Sequence, residues 1–389
     1  MKKRLNILLL GLAIFTMLFS SGNIVFSLIL GRDVDSLINL SLLGFVVTAV
    51  LVPILGLSSV ILLKGDYKKL LDYYGKTASF IIIFVIMVFL LGPMGSLTRG
   101  VIVSYAAFEY YVPSVPIWLY TFFFVILIYL CTYKESTVVE LISKILGPIK
   151  LILLFAIIAL GLFTLKAYEK SSFTPVMSVF HGFHEGYYTL DLLGTIFFAY
   201  LIYNGMQIKF GPKKESKDII LICLKAGFVC AILLGAVYYA FGNISAAWSS
   251  QFKNAAQEQL LTLIAIKVLG QWAGFIANVA IIVAIFVTSI ATTTVFADYA
   301  SNILLKKRVS YNATLIATLL IVLLFANLKF SGIMEIIGPI ATLLYPSLIV
   351  LSFLNILNVF YGLKTIYISV LSWATLIITA FFQYIYTSI

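Results

Sequence analysis

Charge is the scarcest commodity in this sequence: Asp, Glu, Lys and Arg make up 11% of its 389 residues. A soluble domain carries about 25%, so a water-facing surface of ordinary composition is excluded. Histidine is nearly absent, with two residues, and the acids are scattered. Little is left for the clustered acid–base groups that a membrane-embedded transferase needs. The three cysteines, Cys131, Cys223 and Cys230, form no CxxC or Cys/His spacing, so neither a disulfide framework nor a zinc site is indicated, and no cofactor is expected. The start lacks a feature too. Met1-Lys2-Lys3-Arg4 before an apolar run imitates a signal peptide, yet no Ala-x-Ala site or lipobox cysteine follows, and the run continues to Leu30. An uncleaved first span is expected.

What is abundant is apolar: 62% of residues are hydrophobic and the mean hydropathy is +1.11. The pattern predicts an all-α polytopic membrane protein. Apolar runs between short charged loops predict eleven spans, at 5–30, 37–63, 78–98, 115–132, 139–165, 188–208, 218–242, 271–304, 311–328, 333–357 and 363–386. Asn254 to Leu269, with Glu258 and Lys267, reads as a helix lying at the surface. With the N-terminus inside, only Arg32, Arg99, Lys166, Lys170, Lys253, Lys267 and Lys329 fall on the outer side; every other Lys and Arg falls on the inner side. That bias predicts a cytoplasmic N-terminus and an outer C-terminus in a bacterial inner membrane. It also accounts for the net charge of +11 without nucleic acid as a partner.

The segment Lys144-Ile145-Leu146-Gly147-Pro148-Ile149 opens the fifth span, and Glu335-Ile336-Ile337-Gly338-Pro339-Ile340 opens the tenth, which runs the opposite way. This predicts a transporter core over 1–357, built from a first repeat (5–166) and an inverted second repeat (188–357), with a peripheral C-terminal helix at 358–389. Inverted repeats of this kind place a midplane site on discontinuous helices. Span one contains Phe19-Ser20-Ser21-Gly22-Asn23, a run of poor helix formers inside hydrocarbon, and is expected to be broken there. Its partner, span six, is then expected to break near Gly194-Thr195 or Asn204-Gly205.

Half-helix N-termini favour a carboxylate and unwound carbonyls favour a cation, so an amino acid zwitterion is the natural ligand. Ser20, Ser21 and Gly22 offer amides and hydroxyls to the carboxylate, and Phe197, Phe198, Ala199 and Tyr200 border a pocket for the side chain. Small residues also serve close helix packing, which leaves that plainer reading open. In span eight, Thr288 and Ser289 with the carbonyl of Ile285 form an oxygen set suited to Na⁺, although membrane hydroxyls also bond back to their own helix. Asp191 is placed near the outer end of span six, Asp298 in the inner part of span eight and Glu335 at the start of span ten. With no acid placed centrally, sodium is preferred over protons as the coupling ion. His181 and His184 read as part of a plain outer loop. Arg99, with Glu109 beyond it, reads as an outer gate or an interfacial anchor.

These residues resemble the bacterial branched-chain amino acid:cation symporter family, the leucine/isoleucine/valine carriers. The resemblance rests on Ser21-Gly22-Asn23-Ile24-Val25-Phe26, Gly92-Pro93 with Arg99 and Glu109, Gly147-Pro148-Ile149-Lys150, and Asp191-Leu192-Leu193-Gly194. Asn204, Val287-Thr288 with Asp298, Gly338-Pro339 and Tyr345-Pro346 extend it, in order, over most of residues 8–357. It implies sodium-driven import of leucine, isoleucine and valine on a LeuT-type scaffold of five plus five helices. It also implies, by analogy, that carbonyls near Thr16 and Phe19 complete the sodium shell. Methionine or another neutral amino acid, or coupling to protons, is the nearest alternative. Three departures stand out: Ser27 and Thr98 occupy positions where the family tends to have proline. Ala199 and Tyr200 replace a glycine-containing step beside the expected pocket.

Overall fold

The computed structural model describes residues 2–133, 147–210 and 216–388. Lys134, Lys144, Ile145, Leu146, Lys213 and Lys214, together with the expected start of the fifth span at 139, lie outside the described residues. Among the described residues every regular element is helical. The surface is inverted relative to a soluble protein. Leu43, Leu51, Phe123, Leu127, Ile152 and Leu324 face outward, while Asn23, Thr98, Arg99, Ser104, Asp191 and Asn355 are buried. Such burial of polar groups with lipid-ready exteriors is the arrangement a bilayer imposes.

The first span is two helices, α1 (Lys2–Leu18) and α2 (Ser21–Val34). Next come α3 (Ile38–Val46) and α4 (Val52–Leu62), joined through a π-helical turn at Val47–Leu51, and the short α5 (Tyr67–Leu71). α6 (Lys76–Val85) continues as a π-helical stretch, Ile86–Leu91, before α7 (Ser96–Glu109). The first half closes with α8 (Ile117–Thr132) and α9 (Gly147–Leu162). α10 (Pro175–Tyr187) and α11 (Asp191–Phe210) form the second bent pair, at 40°. α12 (Ser216–Ala247), α13 (Leu260–Asp298), α14 (Tyr311–Phe325), α15 (Lys329–Tyr361) and α16 (Thr365–Ser388) complete the chain.

Local chemistry fixes several of these boundaries. Thr174 accepts the Met177 amide at 3.3 Å and Pro175 opens α10, a pairing suited to a helix start. Gly362, at φ 67°, ends α15 in the left-handed conformation. Gly270, at φ 81°, kinks α13, so Leu260–Leu269 is a separate arm ahead of the span. That arm is not simply laid on the surface: Leu260, Leu261, Ile264 and Ala265 are buried while Lys267 is exposed. Length and apolarity alone credit six helical stretches among the described residues, or seven with the bent α10–α11 pair, rather than eleven. Ser21–Leu62 and Tyr311–Tyr361 each run as one long apolar stretch across two expected spans, Ile117–Thr132 is shorter than a full crossing, and the expected fifth span lies only partly among the described residues.

α10 and α3 interlock through small residues. A methyl on Gly182 would strike the Ser41 carbonyl oxygen, and one on Gly186 would strike Thr48 Oγ1. The Ser41 hydroxyl donates to the Ser178 carbonyl at 2.6 Å, and Thr48 to Phe183 at 3.0 Å. Gly182→Ala is therefore expected to cost about 1–3 kcal/mol, the usual penalty of overpacking. A drop in the detergent melting midpoint checks it, and an unchanged midpoint would contradict the interlock.

Candidate functional site

Both long breaks face each other at the centre of the molecule. α1 ends at Leu18, and Ser20 is extended at φ −122°, ψ −176°, before α2 begins. Asn23 closes this break. Its Oδ1 accepts the Ser20 amide at 2.6 Å and the Ser20 hydroxyl at 2.9 Å. Its Nδ2 donates across the molecule to Asp191 Oδ2 at 2.5 Å and to the Tyr238 hydroxyl. Tyr238 in turn donates to the same Asp191 oxygen at 2.8 Å. Asp191 is the first residue of α11, so one amide side chain ties the first break to the start of the second half-helix.

The second break lies at Tyr188-Thr189-Leu190, with Leu190 at φ 63°. It is upstream of the expected position, and the second broken helix starts at Pro175 rather than near 188. α11 runs continuously through Gly194, Thr195, Asn204 and Gly205. The physical reason is visible: Thr195 bonds back to the Leu192 carbonyl at 2.8 Å, and Gly194 serves the approach of Leu18 instead of a break. His181 and His184 accordingly sit within α10 and not in a loop. His181 Nε2 is 3.4 Å from Asp33 Oδ2, and His184 Nδ1 is 3.2 Å from Glu185 Oε1.

A third interruption, Gly92–Gly95, divides span three, whose helix resumes as α7. Gly92-Pro93 looks like a span end because proline removes a helix donor. The chain re-enters the helix one residue after Gly95, with Thr98 bonded to the Pro93 carbonyl. Arg99 is therefore not at the outer surface. It is 0% exposed, its Nη1 donates to the Tyr188 carbonyl at 2.8 Å, and its guanidinium lies 5.5 Å from the Phe26 ring centroid. Ten residues of helix place Glu109 about 15 Å farther along α7, where it accepts the Tyr105 hydroxyl at 3.2 Å. Arg99 and Glu109 do not pair as a gate. Asp191 is likewise not at an outer end: it is 3% exposed and bonded to Asn23 and Tyr238 at the junction.

Span eight reaches the same region. A methyl on Gly100 of α7 would lie 3.2 Å from Ile285 Cγ2, 3.6 Å from Ser289 Oγ and 3.7 Å from Ser21 Oγ. Ile285, Thr288 and Ser289 share a face of α13, one turn apart. The helix is regular there, and the Ile285 carbonyl is not freed by a break: Thr288 Oγ1 donates to it at 2.9 Å and to Ala284 at 3.2 Å. Thr16 Oγ1 bonds back to Leu12 at 2.9 Å, and the Phe19 amide to Phe15 at 2.8 Å, so both belong to the last turn of α1.

The expected aromatic wall is only partly at the junction. Phe197 packs on Tyr67 at 4.8 Å between ring centroids, and Tyr200, 46% exposed, meets the same ring at 6.4 Å. Ala199 and Tyr200 lie against Gly65, in the turn after α4. Eight residues of helix put Ala199 about 12 Å from Asp191. Phe198 differs, because its ring lies beside Gly194, which packs on Leu18. The aromatics that do surround the junction are Phe26, Tyr188, Tyr187 and Tyr345. The sequence signal for Arg99, a lone charge flanked by apolar helix, was present; Tyr238 and Tyr188 carried none.

Comparison with known proteins bears on what this junction handles. The family model described as "Branched-chain amino acid transport protein" matches residues 3–387. The chain is 28% identical to the branched-chain amino acid permease BraB of Bacillus subtilis, over 94% of this chain and 83% of that protein. It is 26% identical to the permease BrnQ of the same organism, over 95% and 86%. Among solved structures, one described as the inward-facing conformation of Mhp1 superimposes with a TM-score of 0.64 at 11% identity. That match covers 89% of this chain and 75% of the other, and Mhp1 has the LeuT-type fold.

Proposed function

The chain belongs to the branched-chain amino acid transport protein family, and from that premise we propose that it imports leucine, isoleucine and valine by sodium-coupled symport across a bacterial inner membrane. Its relatives are named as permeases, and it is a transporter and not an enzyme. The observation that carries the proposal is the junction of two broken helices sealed by Asn23 and Asp191, buried at the centre of an apolar bundle. In this reading the substrate carboxylate is taken at Ser20, Ser21 and Gly22, at the positive end of α2. The apolar side chain rests beside Phe198, and an apolar pocket separates substrates by only about 1–3 kcal/mol per methylene, so preference among neutral amino acids is broad.

Sodium is assigned to the hydroxyls of Thr288 and Ser289 with the Ile285 carbonyl and, by analogy with the LeuT-type site, to carbonyls near Thr16 and Phe19 in the last turn of α1. A hydroxyl that donates to its own helix keeps lone pairs for a cation, and a helix C-terminus favours positive charge. Leucine uptake into proteoliposomes should require an inward sodium gradient, and uptake unchanged without sodium would remove the coupling. Thr288→Ala is expected to raise the sodium concentration needed for half-maximal uptake about tenfold or more, the loss of one or two oxygen contacts at roughly 1.4 kcal/mol per decade. Leucine affinity measured at saturating sodium should change little. An equal loss of both moves the ion elsewhere.

One observation favours a second reading. Asp191 is an acid in the interior, where proton-coupled carriers keep one. Uptake driven by a pH gradient alone, in sodium-free buffer, would select it.

A further inference from the structure

Arg99 is used by nothing in the transport reading above, yet among the described residues it is the largest fully buried side chain. Its Nη1 is committed to the Tyr188 carbonyl, with Met334 Sδ at 3.7 Å. Its Nε and Nη2 have no hydrogen-bond partner among the described residues, and no ion pair to it is found among them. A buried cation with unmet donors is costly in any protein and more so in hydrocarbon, and membrane proteins keep such groups for function.

The direction of the unmet donors is defined by Gly22. A methyl added there would lie 2.8 Å from Arg99 Nη2 and 3.3 Å from the Thr189 carbonyl oxygen. Nη2 therefore overhangs the first turn of α2, where the amides of Ser21 and Gly22 open the helix and its dipole is positive. Two independent sources of positive potential converge on one small volume. Acceptors are gathered here too: the Thr189 carbonyl oxygen lies beside Gly22, and Asn23, one residue on, holds the Asp191 carboxylate. Donors and acceptors gathered at one junction match the two ends of a zwitterion. Glycine at position 22 lets the guanidinium approach the first turn of α2 this closely.

We propose that Arg99 is the carboxylate anchor of the amino acid site, its Nε–Nη2 edge pairing with the substrate carboxylate above the first turn of α2. This rests on reading the chain as an amino acid carrier. Lysine is a poor substitute, because a planar guanidinium presents two parallel donors to a carboxylate where an ammonium presents a point charge. The role differs from a structural one. A strut that merely holds the Tyr188 carbonyl would affect every ligand equally, whereas an anchor discriminates by the carboxylate.

The test measures binding to the purified full chain, by ligand-induced stabilisation, of leucine and of leucinol and leucinamide, which lack the carboxylate. The wild type should favour leucine over both by about a hundredfold or more, as expected for a charge-assisted bidentate pair. Arg99→Gln should lose about that factor for leucine while leucinol binding stays within about threefold, and Arg99→Lys should fall between. Loss of leucine and leucinol in parallel, or leucine binding retained by Arg99→Gln, overturns the proposal. Should Arg99→Gln fail to fold, Gly22→Ala decides. Its methyl would stand 2.8 Å from Nη2, so it displaces the guanidinium and should produce the same selective loss; wild-type leucine binding by Gly22→Ala overturns the anchor. If the wild type binds a different amino acid instead of leucine, isoleucine and valine, the branched-chain reading fails. The same comparison with that amino acid and its amino alcohol then judges Arg99. Binding of none of the twenty amino acids overturns both.

Discussion

Replacing Asn23 with aspartate is expected to abolish leucine uptake in proteoliposomes. The position requires a side chain that accepts at one end and donates at the other. Oδ1 takes the Ser20 amide and hydroxyl, while Nδ2 serves the Asp191 carboxylate and the Tyr238 oxygen. Aspartate keeps the accepting end, loses the donating one and sets a second carboxylate against Asp191, where the amide now stands at 2.5 Å. Like charges at such a separation cannot both stay ionised without moving apart, and the two breaks part with them. Asn23→Ala is milder. It leaves the Ser20 amide uncapped and one buried carboxylate short of a donor, at about 1–3 kcal/mol for each unsatisfied group. The expected order of uptake is wild type, then alanine, then aspartate. Aspartate transporting as well as the wild type would mean that the bond between the breaks is dispensable.

How far the sequence reveals this junction depends on where the polar signal lies. The first break is legible because Ser20, Ser21, Gly22 and Asn23 are consecutive poor helix formers in an apolar run. The second is not, because Tyr188-Thr189-Leu190 contains neither glycine nor proline and a leucine there takes φ 63°. Tertiary contacts impose it: Arg99 holds the Tyr188 carbonyl, and Asn23 and Tyr238 hold Asp191. Gly194 and Asn204-Gly205, which look like the break, lie inside a continuous helix. Gly92-Pro93 misleads in the opposite sense. It reads as a span end and so moves Arg99 to the surface, when it is a bend that carries Arg99 inward. Helical phase is the other hidden quantity. Four successive residues, Phe197 to Tyr200, cannot all face one site, and their helix turns Phe197 and Tyr200 toward Tyr67.

The same junction makes a thermodynamic statement about its two buried charges. Arg99 and Asp191 are both buried at this junction, one held at the second break through Tyr188 and the other through Asn23. Removing one charge leaves the other uncompensated in a medium that solvates it poorly. Arg99→Gln and Asp191→Asn are each expected to cost about 1–3 kcal/mol of stability, the usual penalty when a buried hydrogen-bonded group loses its partner. The double variant should cost less than the sum, with a coupling of about 1–3 kcal/mol, since it leaves no orphaned charge. Detergent unfolding of the four proteins measures that cycle, and additivity within about 0.5 kcal/mol would show that the two charges do not sense each other. Uptake should follow a different rule. It is expected to vanish in both single variants and to stay absent in the double, because the neutral pair restores the packing but not the opposed potentials that hold a zwitterion. Recovered folding with absent transport separates what the charges do for the fold from what they do for the substrate.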